Sequence, residues 1–354
     1  MSAPVLVINP GSTSTKIAVW GTEGPLLQKN IQHAAAELSK SPLVADQMQV
    51  RLTAVQNAVT EWLAPGKLSA VVGRGGLLRP LEGGTYQINE PMLADLRSSK
   101  YSNHASNLGA ILADYFARKL SLPCFVVDPV TVDEFIPLAR VSGVPEIQRK
   151  CRSHALNIRA VAREVAAKLG KKFDQTTFVV AHMGGGLSIC ALQGGKIIDV
   201  NDGLLGMGPF SPERAGALPI GALVELCYAG KYTKENLLAK LSTGSGLMAY
   251  LGTSNCADVE RDIGMGDGNA KQYYDAMLYQ IAKEIGAMAA SLKGKFDAII
   301  LTGGMANSAY LVDTLKGYIS FLGKIFVVPG EKEMEALALG AFRVLEGKEE
   351  AKTY

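Results

Sequence analysis

The sequence lacks the features that mark several large classes of protein. Its cysteines (Cys124, Cys151, Cys190, Cys227 and Cys256) are isolated, odd in number and without metal-ligand spacing, so neither a disulfide scaffold nor a zinc site is indicated. The 36 basic and 33 acidic residues leave a net charge of only +3, and no basic cluster suggests nucleic-acid binding. No apolar stretch is long enough to span a bilayer, and no basic start resembles a signal peptide. These absences predict a reduced, cytoplasmic protein without nucleic-acid or membrane partners.

Glycine is the residue in excess. The chain has 38 glycines in 354 residues, which is about 11% against a usual value of roughly 7%. They follow no collagen period and form no low-complexity block, so they are expected at tight turns and close backbone approaches. The length predicts two domains, and the 48% hydrophobic content is enough for a sizeable core.

Two passages of the chain share one plan. Residues 5–8 and 178–181 are short apolar runs typical of buried strands, and each leads into a turn that contains glycine. Further strands are predicted after these turns, at 17–20 in the first passage and at 187–192 and 196–200 in the second. We interpret the two passages as the openings of two similarly built domains.

Strand and helix patterns alternate along the rest of the chain. Strands are predicted at 123–127 and 298–301. Apolar residues recur at helical spacing over 45–63, 107–120, 153–169, 220–229, 273–292, 307–321 and 331–346. This alternation predicts the α/β class. Because tight turns join the early strands, we expect antiparallel pairing in part of each sheet rather than an all-parallel arrangement.

The turn at residues 9–16 carries the strongest local signal for chemistry. Its small hydroxylated residues can direct hydroxyls and backbone N–H groups at phosphate oxygens, and Lys16 adds positive charge. It is not a Walker A loop, because the Gly-x4-Gly-Lys spacing is absent and a strand follows. An ordinary Ser/Thr-rich hairpin remains the alternative.

Two more glycine-rich turns follow buried strands. The turn at 182–186 has three consecutive glycines, which indicates a close backbone approach, or alternatively a β-bulge beside a packed histidine. The turn at 302–306 follows a strand and is predicted to open a helix, where a ribose or phosphate commonly binds. Three such turns in one chain predict a nucleotide site.

In order, these three motifs resemble those of the acetate and butyrate kinase family, from residue 5 to about 342. The segments 73–76 and 212–219 are closer to the butyrate kinase branch than to acetate kinases. The resemblance implies two RNase H-like lobes, with mixed sheets flanked by helices, around a nucleotide cleft. Residues 1–148 and 330–354 would form the lobe with the substrate side and the first phosphate loop, and residues 149–329 the nucleotide-binding lobe.

The resemblance also implies roles for individual residues. It assigns the first phosphate loop to Asn9, Ser12, Ser14 and Lys16, and nucleotide contacts to Gly184, Gly185, Gly186, Gly303 and Gly304. The implied catalytic residues are Arg74, Asp128, His182 and Arg214, and the implied Mg²⁺ ligands are Asn9, Asp128 and Glu335. His154 matches a histidine of the cleft region, whereas Lys150 stands where acetate kinases have a further histidine, so that role is not assigned.

Several of these residues have a plainer interpretation. Glu335 is one of three glutamates at the start of a predicted helix, where they favour the helix dipole. Asp128 precedes a proline and is an ordinary turn former. His154 could cap or pack against its own helix.

The activity that the resemblance implies is reversible transfer of the ATP γ-phosphoryl group to butyrate or a branched short-chain fatty acid, with ATP/ADP and Mg²⁺. An acetate or propionate kinase is the alternative within the family, and a non-catalytic module of the actin and Hsp70 type is the alternative outside it. A homo-oligomer, dimeric or larger, is expected. Gly73, Gly75 and Gly76 are expected to make room for a longer acyl chain.

Overall fold

The computed structural model describes residues 3–38 and 43–354. In chain order, the strands of this part are β1 (Val5–Pro10), β2 (Ser14–Gly21), β3 (Gly24–Gln32), β4 (Ala70–Arg74), β5 (Thr85–Gln87), β6 (Cys124–Val127), β7 (Thr177–Met183), β8 (Leu187–Gln193), β9 (Lys196–Val200), β10 (Ala298–Gly303), β11 (Ile325–Pro329) and β12 (Lys352–Thr353). The helices are α1 (Ala35–Leu38), α2 (Met48–Ala58), α3 (Glu90–Arg97), α4 (Asn107–Leu120), α5 (Pro137–Arg140), α6 (Ala155–Lys168), α7 (Ile220–Tyr228), α8 (Lys234–Thr243), α9 (Gly246–Leu251), α10 (Cys256–Gly264), α11 (Gly268–Ser291), α12 (Ala309–Ile319) and α13 (Glu333–Leu345).

The strands form two mixed sheets with the same central arrangement. One sheet has the order β12-β5-β6-β4-β1-β2-β3 and the other β11-β10-β7-β8-β9. In each, three antiparallel strands follow one another, and a later strand pairs in parallel with the first of them. The predicted α/β class, with mixed sheets and two similar openings, is therefore confirmed.

The central strands form where an apolar run leaves no polar face. All six residues of β1 are buried, because β4 and β2 flank it in the sheet and helices α4 and α13 pack against it. Helix α4 is instead buried on all sides over residues 107–114, and its exposed residues are Arg118 and Lys119 in its last turn. It ends at Ser121, which takes a left-handed conformation with φ of 54°.

The chain divides into two compact units, Met1–Asp133 with Lys332–Tyr354, and Glu134–Glu331. Residues 134–148, which we placed with the first domain, belong to the second unit. In that unit Ile136 N–H donates to the Ile198 carbonyl at 3.2 Å, and Arg149 pairs with Asp199 at 2.7 Å. The last helix, α13, packs in the first unit against β1, β4 and β6.

Several local boundaries differ from the predictions. Strand pairing extends further than apolar runs alone suggested, so His182 lies within β7 rather than in the turn after it. Residues 304–307 form a 3-10 turn, and α12 begins only at Ala309. Helices α3, α8, α9 and α10 were not predicted. Within the described part of the chain, no helix combines the length and apolar character needed to cross a membrane.

Candidate active site

Three predicted site residues lie at one edge of the first unit's sheet. Strands β1, β4 and β6 run parallel, so their carboxyl ends meet at the same edge. Asn9 is near the end of β1, Arg74 ends β4, and Asp128 follows β6. All three are buried, with at most 8% of the residue exposed. Buried polar groups of this kind require partners, because desolvation is costly.

Glu333 joins this group and was not among the predicted site residues. Its carboxylate lies 2.9 Å from Nη1 of Arg74 and accepts a hydrogen bond of 2.9 Å from Nδ2 of Asn9. The predicted residue, Glu335, is placed differently, because residues two apart on a helix point to different sides. Its side chain is 40% exposed and lies 3.8 Å from Lys332. The structure therefore brings Glu333, not Glu335, to Asn9 and Arg74.

Asp128 is held in a conformation that few residues adopt. Its φ is +40°, and its Oδ1 accepts a 2.7 Å hydrogen bond from the Gly84 N–H. Its own N–H donates to the Gly84 carbonyl at 3.0 Å. A non-glycine residue at positive φ costs free energy that the surrounding structure must supply, and such positions cluster at functional sites. Asp is one of the non-glycine residues that adopt positive φ most readily, so this conformation fits a turn former as well as a functional residue.

The glycines beside Arg74 serve packing. A Cβ atom added to Gly73 would lie 2.8 Å from the Ala110 nitrogen and still closer to the Gly109 carbonyl. A Cβ on Gly75 would meet Pro129, and one on Gly76 would meet Asn107 and Leu96. Backbone and side chains of the same unit thus fill the space that we expected an acyl chain to use. The space on the Cβ side of these three glycines is therefore not available to an acyl chain, contrary to that expectation.

The first loop is shorter than the motif that predicted it. Only residues 11–13 lie between β1 and β2, while Ser14 and Lys16 are already part of β2. Ser12 and Lys16 are exposed, whereas Thr15 is buried, as the alternation of a strand requires. Lys16 is paired in register with Asn9 on β1. The exposed side chains here are therefore Ser12 of the loop and Lys16 of β2.

The oxygen-bearing side chains of the first unit suit Mg²⁺ as ligands. This ion takes oxygen ligands, commonly from one or two carboxylates together with substrate phosphates. Glu333 and Asp128 supply carboxylates, and Asn9 directs its amide nitrogen at Glu333, so its oxygen faces away from that carboxylate. Among the described residues, no three His, Cys, Asp or Glu side chains group closely enough to hold a metal by themselves.

His182 is the centre of a second group of polar side chains, in the second unit. It is 1% exposed, and its Nδ1 lies 2.9 Å from Nδ2 of Asn157, which also donates to Oγ1 of Thr302 at 3.2 Å. With the amide nitrogen assigned to this side, Nδ1 must accept, so the neutral ring carries its proton on Nε2. Nε2 is 3.6 Å from where a Cβ on Gly184 would lie. His182 is therefore oriented as a donor beside the glycine-rich turn.

His154 lies against His182. The two rings stack with centroids 4.0 Å apart and an interplanar angle of 14°. Nδ1 of His154 is 2.9 Å from Oγ of Ser188. Lys150 is exposed. His154, which directly precedes α6, is thus in ring contact with the predicted site residue His182.

Arg214 lies beside the glycine-rich turn of the same unit. A Cβ on Gly186 would collide with its guanidinium, so glycine at 186 leaves the space that the arginine uses. The guanidinium donates to the Gly203 carbonyl, and Oγ of Ser211 donates to the Gly185 carbonyl at 2.7 Å while accepting from Arg214 N–H at 3.1 Å. The structure thus groups His182, Gly184–Gly186 and Arg214.

The two glycines of the third turn differ. Gly303 has φ of +91°, and a Cβ there would lie 2.7 Å from the backbone nitrogen of Met183. Glycine is therefore required at 303 for the close approach of β10 to β7. Gly304 is exposed, and no described atom lies within 4 Å of where its Cβ would be. Of the two, Gly304 has the surface that a ligand could approach.

The model of the acetokinase family matches residues 146–330, which is more than half of the chain. Among solved structures, acetate kinase from Porphyromonas gingivalis is 20% identical, with a TM-score of 0.80 over 97% of this chain and 100% of that one. Propionate kinase from Francisella tularensis is 20% identical, with a TM-score of 0.72 over 96% and 98%. Acetate kinase from Entamoeba histolytica is 16% identical, with a TM-score of 0.75 over 96% and 99%. At these identities the structural matches show a common fold.

Proposed function

The chain belongs to the acetokinase family of ATP-dependent carboxylate kinases, and from this premise we propose that it phosphorylates a short-chain fatty acid. The reaction transfers the γ-phosphoryl group of ATP reversibly to the carboxylate, giving an acyl phosphate and ADP. The observation that carries the proposal is the ion-paired and hydrogen-bonded group formed by Asn9 and Arg74, at the carboxyl ends of parallel strands, with the partly buried Glu333 of α13. Ligands of α/β sheets bind at such edges.

The proposed chemistry needs no general base. A fatty acid is ionised near neutral pH, so its carboxylate oxygen attacks phosphorus without losing a proton. Catalysis then consists of positioning the reactants and neutralising charge on the transferring phosphoryl group. We propose that Arg74 in the first unit supplies a planar donor group for phosphate oxygens, and that Arg214 and the Nε2–H of His182 act as donors in the second unit.

We propose that Asn9, Asp128 and Glu333 hold Mg²⁺, with Glu333 in the role that we had assigned to Glu335. The bound ion would neutralise charge on the nucleotide phosphates. The ion pair with Arg74 orients the Glu333 carboxylate. The hydrogen bond from Asn9 to Glu333 orients the side chains of both residues. Ser12, Ser14 and Lys16 would bind phosphate oxygens from the first loop. Gly184–Gly186 and Gly304 would bind nucleotide in the second unit.

A matched pair of variants tests the assignment of Glu333. Glu333→Gln keeps the shape of the side chain but removes its charge, so we expect kcat to fall by about 10²-fold. Glu335→Gln makes the same chemical change two residues away on an exposed side chain, and we expect an effect of less than about twofold. Melting temperatures of both variants separate loss of fold from loss of function. Equal effects, or a larger one for Glu335→Gln, would contradict the assignment.

For the acyl group we propose butyrate or a branched relative, on the segments 73–76 and 212–219. Two of the similar structures are acetate kinases and one is a propionate kinase, which favours acetate or propionate as the alternative. Acyl phosphate can be trapped with hydroxylamine for straight and branched acids of two to five carbons. A higher kcat/KM on acetate than on butyrate would overturn the choice, and no hydroxamate with any acid would favour a non-catalytic nucleotide-binding module.

The remaining proposals concern setting and assembly. We propose that the unit with the first loop binds the carboxylate and that Glu134–Glu331 binds the nucleotide. The cysteines form no disulfide among the described residues, and we propose a cytoplasmic setting. Helix α11 exposes half of Tyr279 and is proposed as a contact in a homo-oligomer, which light scattering of the purified protein would test.

A further inference from the structure

Arg51 is a fully buried arginine outside every motif that predicted the site. It lies on α2, and none of its surface is exposed. Burial lowers the pKa of its guanidinium, yet an arginine keeps its charge in proteins. Among the ion pairs of the described residues, none involves Arg51. A buried charge of this kind needs compensation from hydrogen bonds.

The compensation comes from the turn between β1 and β2. Nη1 of Arg51 donates to the carbonyls of Gly11 and Ser14, both at 2.9 Å, and Nη2 donates to the Ser12 carbonyl at 3.0 Å. Oε1 of Gln47 accepts from Nη2 at 3.0 Å and from Nε at 3.3 Å. The guanidinium thus donates hydrogen bonds to three carbonyls in and beside this turn, and the hydrogen bonds to Gln47 fix its orientation.

These contacts determine which way the peptide groups of the turn face. In a trans peptide, a carbonyl and the N–H of the following residue point in opposite directions, and no described peptide is cis. Since the carbonyls of Gly11 and Ser12 point to Arg51, the N–H groups of Ser12 and Thr13 point away from it. The Thr13 carbonyl is also occupied, because it accepts from the His33 N–H at 2.9 Å. The turn therefore presents donors on the side opposite Arg51.

We propose that Arg51 is a positioning residue for a phosphoryl anion at this turn. It holds the carbonyls inward, so that N–H groups and the Ser12 hydroxyl face the anion, and its buried positive charge adds to the attraction. Consecutive N–H groups around a concave turn are a recurrent anion site. This inference rests on the proposed function for the identity of the anion, a nucleotide phosphate, but the site itself would accept inorganic phosphate.

Two variants and a matched control test the proposal. Arg51→Met removes the charge and the donors at similar length, and Arg51→Lys keeps the charge but loses the planar fork. Arg159→Met removes another buried arginine, one that pairs with Glu134 in the second unit. The measurements are the rise in melting temperature caused by inorganic phosphate, the KM values for ATP and for carboxylate, and unliganded stability.

We expect Arg51→Met to weaken phosphate binding and raise KM for ATP by about tenfold or more, the worth of a lost charge-assisted contact. We expect KM for carboxylate to change by less than about twofold. Arg51→Lys should fall between Arg51→Met and the unmodified protein. It also provides the test if Arg51→Met does not fold. Arg159→Met should lower stability but leave both ligand constants unchanged.

The outcomes distinguish this inference from the proposed function. If Arg51 variants fold and bind phosphate and ATP as the unmodified protein does, the positioning role is overturned while the kinase activity stands. If the unmodified protein forms no acyl phosphate but its phosphate binding depends on Arg51, the proposed function fails and the anion site stands. If Arg159→Met changes phosphate binding as much as Arg51→Met, the effect reflects general destabilisation and the inference fails.

Discussion

Replacing Gly109 by alanine should separate α4 from β4 and displace Arg74. A Cβ atom at 109 would lie 2.8 Å from the Arg74 nitrogen and still closer to its carbonyl oxygen. The approach is mutual, since a Cβ on Gly73 would lie 2.8 Å from the Ala110 nitrogen. The obstacle is backbone on both elements, so no side-chain rotation relieves it. The helix or the strand must shift by several tenths of an ångström.

Two opposing effects determine how much Gly109→Ala changes the free energy of unfolding. Alanine is favoured over glycine inside a helix by about 1 kcal/mol. Overpacking a filled core costs about 1–3 kcal/mol, and a backbone obstacle belongs at or above the upper end. We therefore expect Gly109→Ala to lower the free energy of unfolding by about 2 kcal/mol. Because Arg74 would move with β4, we also expect kcat to fall by up to about 10²-fold.

Urea unfolding followed by circular dichroism measures the stability, and hydroxamate formation measures kcat. Gly317→Ala is the matched control, since it changes glycine to alanine within α12 where no described atom lies within 4 Å of the new Cβ. We expect it to raise stability by about 0.5–1 kcal/mol without changing kcat. If Gly109→Ala were as stable and as active as Gly317→Ala, the argument from close approach would be refuted.

Three further predictions concern single polar residues. The carboxylate of Asn157→Asp can only accept a hydrogen bond from His182, so the ring proton should move to Nδ1, which ¹⁵N NMR spectra would show. We expect kcat to fall about 10²-fold, and an unchanged tautomer would contradict the assignment. Arg214→Ala should lower kcat by about 10³-fold or more while ATP affinity in a binding titration stays within about fivefold, and surviving turnover would remove its role. Burial, and then the charge of Arg51, lowers the pKa of His33 below its ordinary 6.5, so the folded state binds fewer protons than the unfolded state. Stability should therefore fall as pH drops below about 6.5, and His33→Gln should flatten this dependence in urea midpoints measured from pH 5 to 8; an equal slope in both proteins would contradict it.

The opening strands of the two units and the glycine-rich turns could be predicted because their signals are local, whereas the order of the strands within each sheet was not predicted. Apolar runs such as that of β1 are read from neighbouring residues, and the same plan in two passages indicated two similar units. The exact ends of the strands and helices were harder to predict from the sequence. His182 extends β7 because it pairs with Ser188, a contact that its own neighbours in the sequence do not reveal.

The site residues divide in the same way. Asn9 and Asp128 each follow a predicted strand, whereas no strand was predicted before Arg74, whose role came from the family resemblance alone. The choice between Glu333 and Glu335 could not be made from the sequence, since both lie in the first turn of one helix and both suit its dipole. It is made by where α13 packs, which turns Glu333 toward a residue 324 positions earlier.

By itself, the sequence determined the α/β class, the family and the turns where phosphate chemistry is expected, because these depend on residues adjacent in the chain. Only the tertiary structure decided which carboxylate joins Arg74, that Asn157 orients His182 and that Arg51 holds the first loop from within. Gly73 likewise proved to be required for the packing of α4 on β4. Each of these depends on direction and distance between elements far apart in sequence, and burial makes those contacts selective because an unpaired polar group there is costly.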